Sequence, residues 1–200
     1  YFYYSAAIPT NIPLGSIPIV LTKLIGGVYY HMTPMGASQQ QLIANSQNLT
    51  SANSALSYVP SANMGLGFKG GVGFIYATSD KVVNGDVMFE IAFTSTGGLS
   101  FVRLSGDAYL ICTRDERPTA PVKGSIFIQY DAENKVFDAN ATITINAYNA
   151  VTGTGTTKFH IEPGMWYVSI GKPSSPVNVS ILNLVNATSY FMVGNQIEPA

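Results

Sequence analysis

A stretch in the second half of the chain alternates apolar and polar side chains without interruption. Between positions 136 and 147, one set of alternate residues is Phe137, Ala139, Ala141, Ile143, Ile145 and Ala147, and the other is Val136, Asp138, Asn140, Thr142, Thr144 and Asn146. A repeat of two residues is the period of a β-strand. The pattern predicts a hairpin of two long strands, 123–130 and 136–148, joined across 131–135. We expect Ile143 to face a core and Thr142 and Thr144 to face water, as in an antiparallel sheet that is buried on one face.

Strand signals separated by small turns recur about every ten residues along the chain. This spacing predicts an all-β fold in one domain at 16–200. The fold would be either an antiparallel, jelly-roll-like β-sandwich or a meander sheet. Gly26, Asn84-Gly85 and Gly106 each interrupt an apolar run and are interpreted as turns or strand ends. A long loop is expected at about 33–63, with a short helix at 38–46.

The composition restricts the partners of the chain. Only 10% of the residues are charged, the net charge is −1, and no run of Lys or Arg occurs. No electrostatic footprint for nucleic acid or an acidic membrane is therefore present, and no apolar run is long enough for a transmembrane helix. A surface of hydroxyls and amides is suited to a secreted or cell-surface protein. Because the chain starts without Met, we expect a processed product or an excised piece of a longer protein.

The first residues form a distinct apolar segment, 1–15, interpreted as an extended N-terminal arm or an edge strand. Its large side chains are Tyr1, Phe2, Tyr3, Tyr4, Ile8 and Ile12. Pro9 and Pro13 keep the segment extended, and it contains no charge. Exposed apolar surface of this size must dock. It docks either on its own sheet or on a second copy of the chain, and the sequence leaves both alternatives open.

Residues with catalytic chemistry are sparse, and the sequence predicts no enzyme. His160 and Glu162 are two apart in a strand and share a face, which is interpreted as a strand-surface pair rather than a general base or a metal site. The single cysteine, Cys112, is expected in the core. Arg114, Asp115, Glu116 and Arg117 form the most charged stretch, interpreted as a solvated loop.

Three kinds of ligand or modification site are candidates. The turn residues Asp131, Glu133 and Asn134 place three oxygen ligands close together, as calcium would require, although turns favour these residues for local hydrogen bonds. No other cofactor is expected. Sequons for Asn-linked glycans occur at Asn48, Asn140, Asn178 and Asn186. Trp166 is a candidate for stacking on a sugar ring, and its alternative is the core; alternation places it on the face opposite Tyr167.

The last third of the chain contains two motifs that carry a resemblance. These are the segment 166–173 (WYVSIGKP), followed by 176–179 (PVNV), and the segment 189–195 (SYFMVGN). From about Gly65 onward, the chain resembles β-rich segments of very large, uncharacterised secreted or surface proteins of Bacteroidota. The resemblance implies a module of a long surface protein, and it implies no activity and no functional residues.

Taken together, these features favour an extracellular structural or assembly module, which self-associates or belongs to a surface scaffold through edge-strand or arm exchange. Its partners would be copies of itself or neighbouring domains. One alternative is a glycan- or surface-binding adhesin module on the same sheet. A further alternative is an outer-membrane β-barrel, for which the alternation and the aromatic residues argue.

Overall fold

The protein is described by a computed structural model that covers residues 2–34, 58–76 and 79–196. The all-β prediction is confirmed, because 74% of the described residues are in strands. The described residues form fourteen strands: β1 (Phe2–Pro13), β2 (Ile19–Tyr30), β3 (Met32–Pro34), β4 (Tyr58–Pro60), β5 (Met64–Tyr76), β6 (Ser79–Thr94), β7 (Leu99–Leu110), β8 (Val122–Asp131), β9 (Val136–Ala147), β10 (Val151–Glu162), β11 (Met165–Ile170), β12 (Val177–Ile181), β13 (Val185–Ser189) and β14 (Phe191–Gly194). The described residues contain one 3₁₀ turn, Arg117–Thr119, and no helix long and apolar enough to cross a membrane.

Twelve strands form one antiparallel sheet in which chain neighbours are also spatial neighbours. The order is β1-β2-β5-β6-β7-β8-β9-β10-β11-β14, with β12 on β10 and β13 on β12. Most strands pair with their neighbours along the chain, which makes the sheet a meander. The 31–63 connection inserts β3 and β4 between the paired strands β2 and β5, the 111–121 connection inserts a 3₁₀ turn between β7 and β8, and β12 and β13 lie between the paired strands β11 and β14.

The last four strands form two interrupted long strands. Residues 151–154 of β10 pair with residues 181–178 of β12, and residues 157–162 of β10 pair with residues 170–165 of β11. The residues 171–176 are a loop that leaves this line, starting at Gly171 with a φ of 67°. β13 and β14 pair with β12 and β11 in the same way, separated only by Tyr190. We call each position across the sheet a rank, and we count an interrupted pair of strands as one rank. The sheet therefore has ten ranks, and the tenth is β13 followed by β14.

The central hairpin is confirmed. β8 and β9 pair from Asp131–Val136 to Val122–Ile145 without a register shift. In the turn, Asp131 Oδ1 accepts from the backbone N–H groups of Glu133 and Asn134, both at 3.0 Å. Lys135 closes the turn with a φ of 56°.

Several turn predictions are wrong, because the glycines concerned lie inside long strands. β2 passes through Gly26, β6 through Asn84 and Gly85, and β7 through Gly106. Gly85 and Gly106 make room for neighbouring backbone and side chains, whereas a Cβ on Gly26 would meet no atom within 4 Å. A Cβ on Gly85, for example, would lie 2.3 Å from the carbonyl oxygen of Asp107 and 2.5 Å from the Phe74 ring.

The N-terminal segment is an edge strand of its own sheet. β1 pairs with β2 from Phe2–Tyr30 to Pro13–Val20, with one irregularity between Pro9 and Ile12. Tyr1 lies outside the described residues. The structure thus shows this segment docked on the chain's own sheet and not as a free arm.

Two connections fold over the sheet. The expected long loop at 33–63 begins and ends in the ribbon of β3 and β4, where Met32 pairs with Pro60 and Pro34 with Tyr58. The helix expected at 38–46 lies outside the described residues. The second connection, 111–121, joins β7 to β8 and contains the 3₁₀ turn.

The expected orientation of β9 is wrong for its central isoleucine. Ile143 lies on the predicted apolar side but is 54% exposed. The buried residues belong to the other side of the sheet, where Phe127 pairs directly with Asn140. The reason is that both covering connections lie on the side that contains the polar residues, and no described residue covers the apolar side as a second layer.

Candidate functional site

The sheet has two chemically distinct faces, which are the main functional feature of the molecule. The polar face is the side of Asp138, Asn140 and Thr142 and of their cross-strand partners; the apolar face is the side of Ile143 and its partners. In the described residues, every Asp, Glu, Lys, Arg or His at a cross-strand-paired position of the ten-rank sheet lies on the polar face. Local alternation alone does not require this; it holds because the register is kept across the whole sheet.

A continuous row of polar side chains crosses the polar face. Successive strands contribute directly opposed residues, in the order Lys69, Glu90, Arg103, Gln129, Asp138, His160 and Tyr167. We call this set the central polar row. Directly opposed side chains are close enough to interact in an antiparallel sheet, so opposite charges stabilise neighbouring strands.

Glu90 in the central polar row accepts three hydrogen bonds from side chains. Its Oε1 accepts from the hydroxyls of Tyr29 at 2.7 Å and Tyr58 at 2.8 Å, and its Oε2 accepts from Arg103 Nη1 at 3.2 Å. Arg103 also donates from Nε to Gln129 Oε1 at 3.0 Å. Tyr58 comes from the β3–β4 ribbon, and its ring packs on Tyr29 with centroids 4.8 Å apart. The ribbon therefore buries a charged group and satisfies it at the same time.

A second charged cluster lies under the 111–121 connection. Arg117 pairs with Asp86, and its Nε donates to Asn84 Oδ1 at 2.6 Å. Arg114 lies 3.7 Å from Asp86 and donates to Thr22 Oγ1 at 2.6 Å. The interpretation of this stretch as a solvated loop is wrong for both arginines, which fold onto the sheet; burial lowers the pKa of Arg114.

Two groups in this connection, Cys112 and Glu116, and one beside it in β7, Tyr109, have a pKa that is shifted by their surroundings. Cys112 is 2% exposed, as expected from the sequence, and burial raises the pKa of its thiol. Burial, followed by the charge of Asp107, raises the pKa of Tyr109. Glu116 is exposed, and hydrogen bonds from the backbone N–H and the hydroxyl of Thr113 lower the pKa of its carboxyl.

His160 lies between two carboxylates. Its Nδ1 is 2.7 Å from Asp138 Oδ1, its Nε2 is 3.6 Å from Glu162 Oε2, and its ring stacks on Tyr167 at 5.1 Å. The pairing with Glu162 was expected from the spacing. Asp138 was missed because it is contributed by the neighbouring strand, and only the β9–β10 register brings it opposite His160.

The candidate calcium residues form a bonded turn. Besides the two backbone N–H groups, Asn134 Nδ2 donates to Asp131 Oδ2 at 2.9 Å, so both carboxylate oxygens of Asp131 are used. Across the described ranges, no three His, Cys, Asp or Glu side chains are grouped to hold a metal ion. Calcium binding here stays a prediction, and the observed geometry is that of a turn.

The four sequons fall in different environments. Asn178 in β12 and Asn186 in β13 are exposed, whereas Asn140 is half-buried on the polar face. Asn48 lies outside the described residues. Glycosylation stays a prediction, and the two exposed strands are its most accessible positions.

Trp166 lies at the surface on the apolar face and is 42% exposed, so its placement in the core is excluded. Tyr167 is buried on the polar face, which confirms that the two rings point to opposite sides. Sugar stacking at Trp166 stays a prediction.

The apolar face is continuous from one edge of the sheet to the other. One row of directly opposed residues, which we call the aromatic row, is Tyr4, Val28, Phe68, Ile91, Val102, Tyr130, Phe137, Ile161 and Trp166. The next row contains Ala6, Gly26, Gly70, Phe89, Leu104, Ile128, Ala139, Phe159, Val168 and Val193. A third contains Ile8, Leu24, Val72, Val87, Gly106, Ile126, Ala141, Thr157, Ile170 and Phe191. We call the last two rows the middle rows; Thr157 is their one hydroxyl.

A shallow cleft of about 280 Å³ lies on the same face near the 171–176 loop. Ile143, Ile145, Ile170 and Val177 form its walls, and Gly153 and Gly155 lie at its base. Most of its lining is apolar, and its polar lining residues are Thr154, Thr156, Thr157 and Asn178. It is therefore suited to a methyl or methylene group rather than to a charged ligand.

Comparisons with protein-family models, with curated proteins and with solved structures found no match.

Proposed function

We propose that the protein is a structural module whose sheet is extended at its two edges by strands of another copy or of a neighbouring domain. The observation that supports this most directly is the pair of open edges. In the described residues, β1 pairs only with β2, and the tenth rank, β13 followed by β14, pairs only with β12 and β11. Unpaired edges of this length are templates for a further strand.

The directions of the edge strands support head-to-tail addition. Every neighbouring pair in the ten-rank sheet is antiparallel, so the first and tenth ranks run in opposite directions. A second copy that is related by translation across the sheet would therefore place its β1 antiparallel to β13 and β14. This heterologous contact continues the ladder already present. A pure translation generates an open filament, and an added rotation that closes generates a ring.

The polar clusters support a structural rather than a catalytic role. Glu90 and Asp86 are bound by neighbouring strands and by the connections that cover them. Such groups fix register and hold the covering elements in place. The low charge and the resemblance to large surface proteins support a secreted or cell-surface location.

Disulfide trapping tests the edge contact directly. Ile8→Cys on β1 is combined in turn with a cysteine at alternate positions of the tenth rank, in a Cys112→Ala background. All positions of the series lie on the apolar face: Val185, Ala187, Ser189, Phe191 and Val193. Edge pairing predicts intermolecular disulfides that peak sharply at one position and its neighbour, because cross-strand Cβ atoms are close only in register.

The matched control places the first cysteine at Ile143 in the sheet interior, where the side chain is just as exposed. The same series should then give little cross-linking. Uniform cross-linking along the series, or equal cross-linking with Ile143→Cys, would mean that copies meet by collision and not through their edges.

A further inference from the structure

We propose that the apolar face contacts the acyl chains of a lipid bilayer, which its strands cross at a tilt. This proposal goes beyond edge pairing and relies on it in one respect: edge strands in hydrocarbon must have their backbone groups paired. The remaining support comes from the charge distribution, the dimensions and the placement of aromatic residues on the described part of the sheet.

Charge is distributed as it would be between water and hydrocarbon. The paired positions of the apolar face contain no Asp, Glu, Lys, Arg or His, whereas the polar face contains buried charges that form ion pairs, such as Glu90 with Arg103 and Asp86 with Arg117. A sheet that packs in water buries its apolar face and exposes its polar one. This protein does the reverse: Phe89, Ile126 and Ile143 are exposed, while Lys69 and Glu90 are buried. Strands that face lipid on one side and a polar interior on the other show this arrangement.

The size of the apolar face also fits. Ten ranks at about 4.8 Å and strand segments of about 30 Å give roughly 1,400 Å² of face, against about 300–600 Å² for the largest patch on a typical soluble monomer. β9 has 12 residues. At about 3.3 Å per residue and a tilt of about 40°, such a strand spans about 30 Å along a membrane normal, which matches the hydrocarbon thickness.

Amphipathic aromatic residues lie at the boundaries of this face. Tyr4, Tyr130 and Trp166 belong to the aromatic row at one end, and Tyr148 follows β9 at the other end with 81% of its surface exposed. The middle rows contain no Tyr and no Trp. Tyr and Trp are enriched where a protein passes from hydrocarbon to headgroups.

The connections leave the apolar face open. Tyr58 of the β3–β4 ribbon contacts Tyr29 and Glu90, and Arg114 and Arg117 of the 111–121 connection contact Asp86, all on the polar face. Both of these covering elements therefore fill the polar side. The apolar side keeps a surface without charged side chains at its paired positions, which suits an apolar partner such as acyl chains.

Depth-dependent fluorescence quenching tests the proposal. The chain is folded into phosphatidylcholine vesicles whose acyl chains carry bromine either near the headgroup or near the chain end. Native Trp166, the one tryptophan of the chain, should be quenched more by the shallow bromine, since it lies in the aromatic row. In a Trp166→Phe background, Ile143→Trp should be quenched more by the deep bromine.

Thr144→Trp is the matched control, because Thr144 neighbours Ile143 on the same strand, is also exposed, and lies on the polar face. It should keep its fluorescence in both kinds of vesicle. Quenching of Thr144→Trp equal to that of Ile143→Trp would overturn the proposal, as would a blue-shifted but unquenched Ile143→Trp in a particle of doubled mass. The latter outcome would identify a second copy of the sheet as the occupant.

The two proposals fail separately. Cross-linked edges without bromine quenching would support the structural module and contradict the contact with a bilayer. Face-selective quenching without edge cross-links would support the contact with lipid and contradict edge pairing between copies, and the backbone groups of the edge strands would then have to be paired in another way. The native Trp166 measurement needs no substitution, so a variant that fails to fold does not decide the result.

Discussion

At the scale of single residues, the polar face contains the buried ion pair Glu90–Arg103. Removing one partner of a buried pair leaves an uncompensated charge, which costs about 3–5 kcal/mol. We therefore expect Glu90→Leu to lower the free energy of unfolding by this amount, since Arg103 and the two tyrosine hydroxyls lose their acceptor. Denaturant unfolding followed by circular dichroism measures the loss.

The control for this prediction is the double variant Glu90→Leu with Arg103→Met. Because it removes both charges, it should recover a large part of the stability lost in Glu90→Leu. Additive losses in the two single variants would show that the pair is solvated and contributes little.

Cys112 gives a residue-scale measure of unfolding. Its thiol is 2% exposed, and burial raises its pKa, so the reactive thiolate is both scarce and inaccessible. We expect iodoacetamide to label the native protein slowly and the unfolded chain rapidly, with the labelling midpoint at the denaturant midpoint. Val82→Cys, at an exposed position, should react at once in a Cys112→Ala background. Fast native labelling at Cys112 would mean that the 111–121 connection opens locally.

Glu116 gives the connection a pH dependence of known sign. Its pKa is lowered in the folded chain by the hydrogen bonds from Thr113, compared with about 4.3 for an ordinary glutamate. A carboxyl whose pKa is lowered by folding stabilises the fold at any pH above the pKa that it has in the unfolded chain. This contribution is lost as the pH falls through the pKa that it has in the folded chain. The Thr113 amide resonance should therefore titrate below pH 4.3, and Glu116→Gln should abolish the titration. An apparent pKa at or above the ordinary value would contradict the hydrogen bonds.

At the scale of strands, the sequence predicts the two-residue period of the strands but not the full length of those that contain glycine. The 136–147 alternation predicts β9 within one residue, because nothing in it competes with a strand. The runs around Gly26, Gly85 and Gly106 were divided at the glycines, since glycine is also the usual turn residue. Whether a glycine is needed inside a strand depends on how closely the neighbouring strand approaches it. That distance depends on the register of the neighbouring strand, which the local sequence does not contain.

Two strand glycines should respond oppositely to alanine. A Cβ on Gly67 would lie 2.1 Å from Cζ of Tyr29, so Gly67→Ala should displace this buried ring and cost about 1–3 kcal/mol. A Cβ on Gly124 meets no atom within 4 Å, and Gly124→Ala should be neutral or stabilising by up to about 1 kcal/mol, because alanine restricts the unfolded chain. Thermal melts compare the two variants. Equal losses would contradict the assignment of Gly67 to the polar face beneath Tyr29.

At the scale of the whole molecule, alternation revealed that the sheet has two faces but not which face is covered. The expectation that Ile143 faces a core follows from the usual rule for sheets in water, and the rule fails here because both covering connections carry polar or charged groups. Asp138 beside His160 and the central polar row were invisible in the sequence for a related reason. They depend on the register of seven strands, and a register is a property of the whole sheet.

The depth profile of the apolar face is a prediction about the whole molecule. Ile126 and Tyr130 lie on the apolar face of β8, and they belong to a middle row and to the aromatic row respectively. An arginine costs about 2–4 kcal/mol at the bilayer midplane and about 0–1 kcal/mol near the interface. If the face contacts lipid, Ile126→Arg should weaken partitioning into vesicles by the larger amount and Tyr130→Arg by the smaller, as measured by flotation. Thr144→Arg, on the polar face, should leave partitioning unchanged. In water both face variants would be harmless, since each replaced side chain is already exposed. Equal losses at Ile126 and Tyr130 would therefore contradict a graded apolar environment and favour a flat contact with a second protein surface.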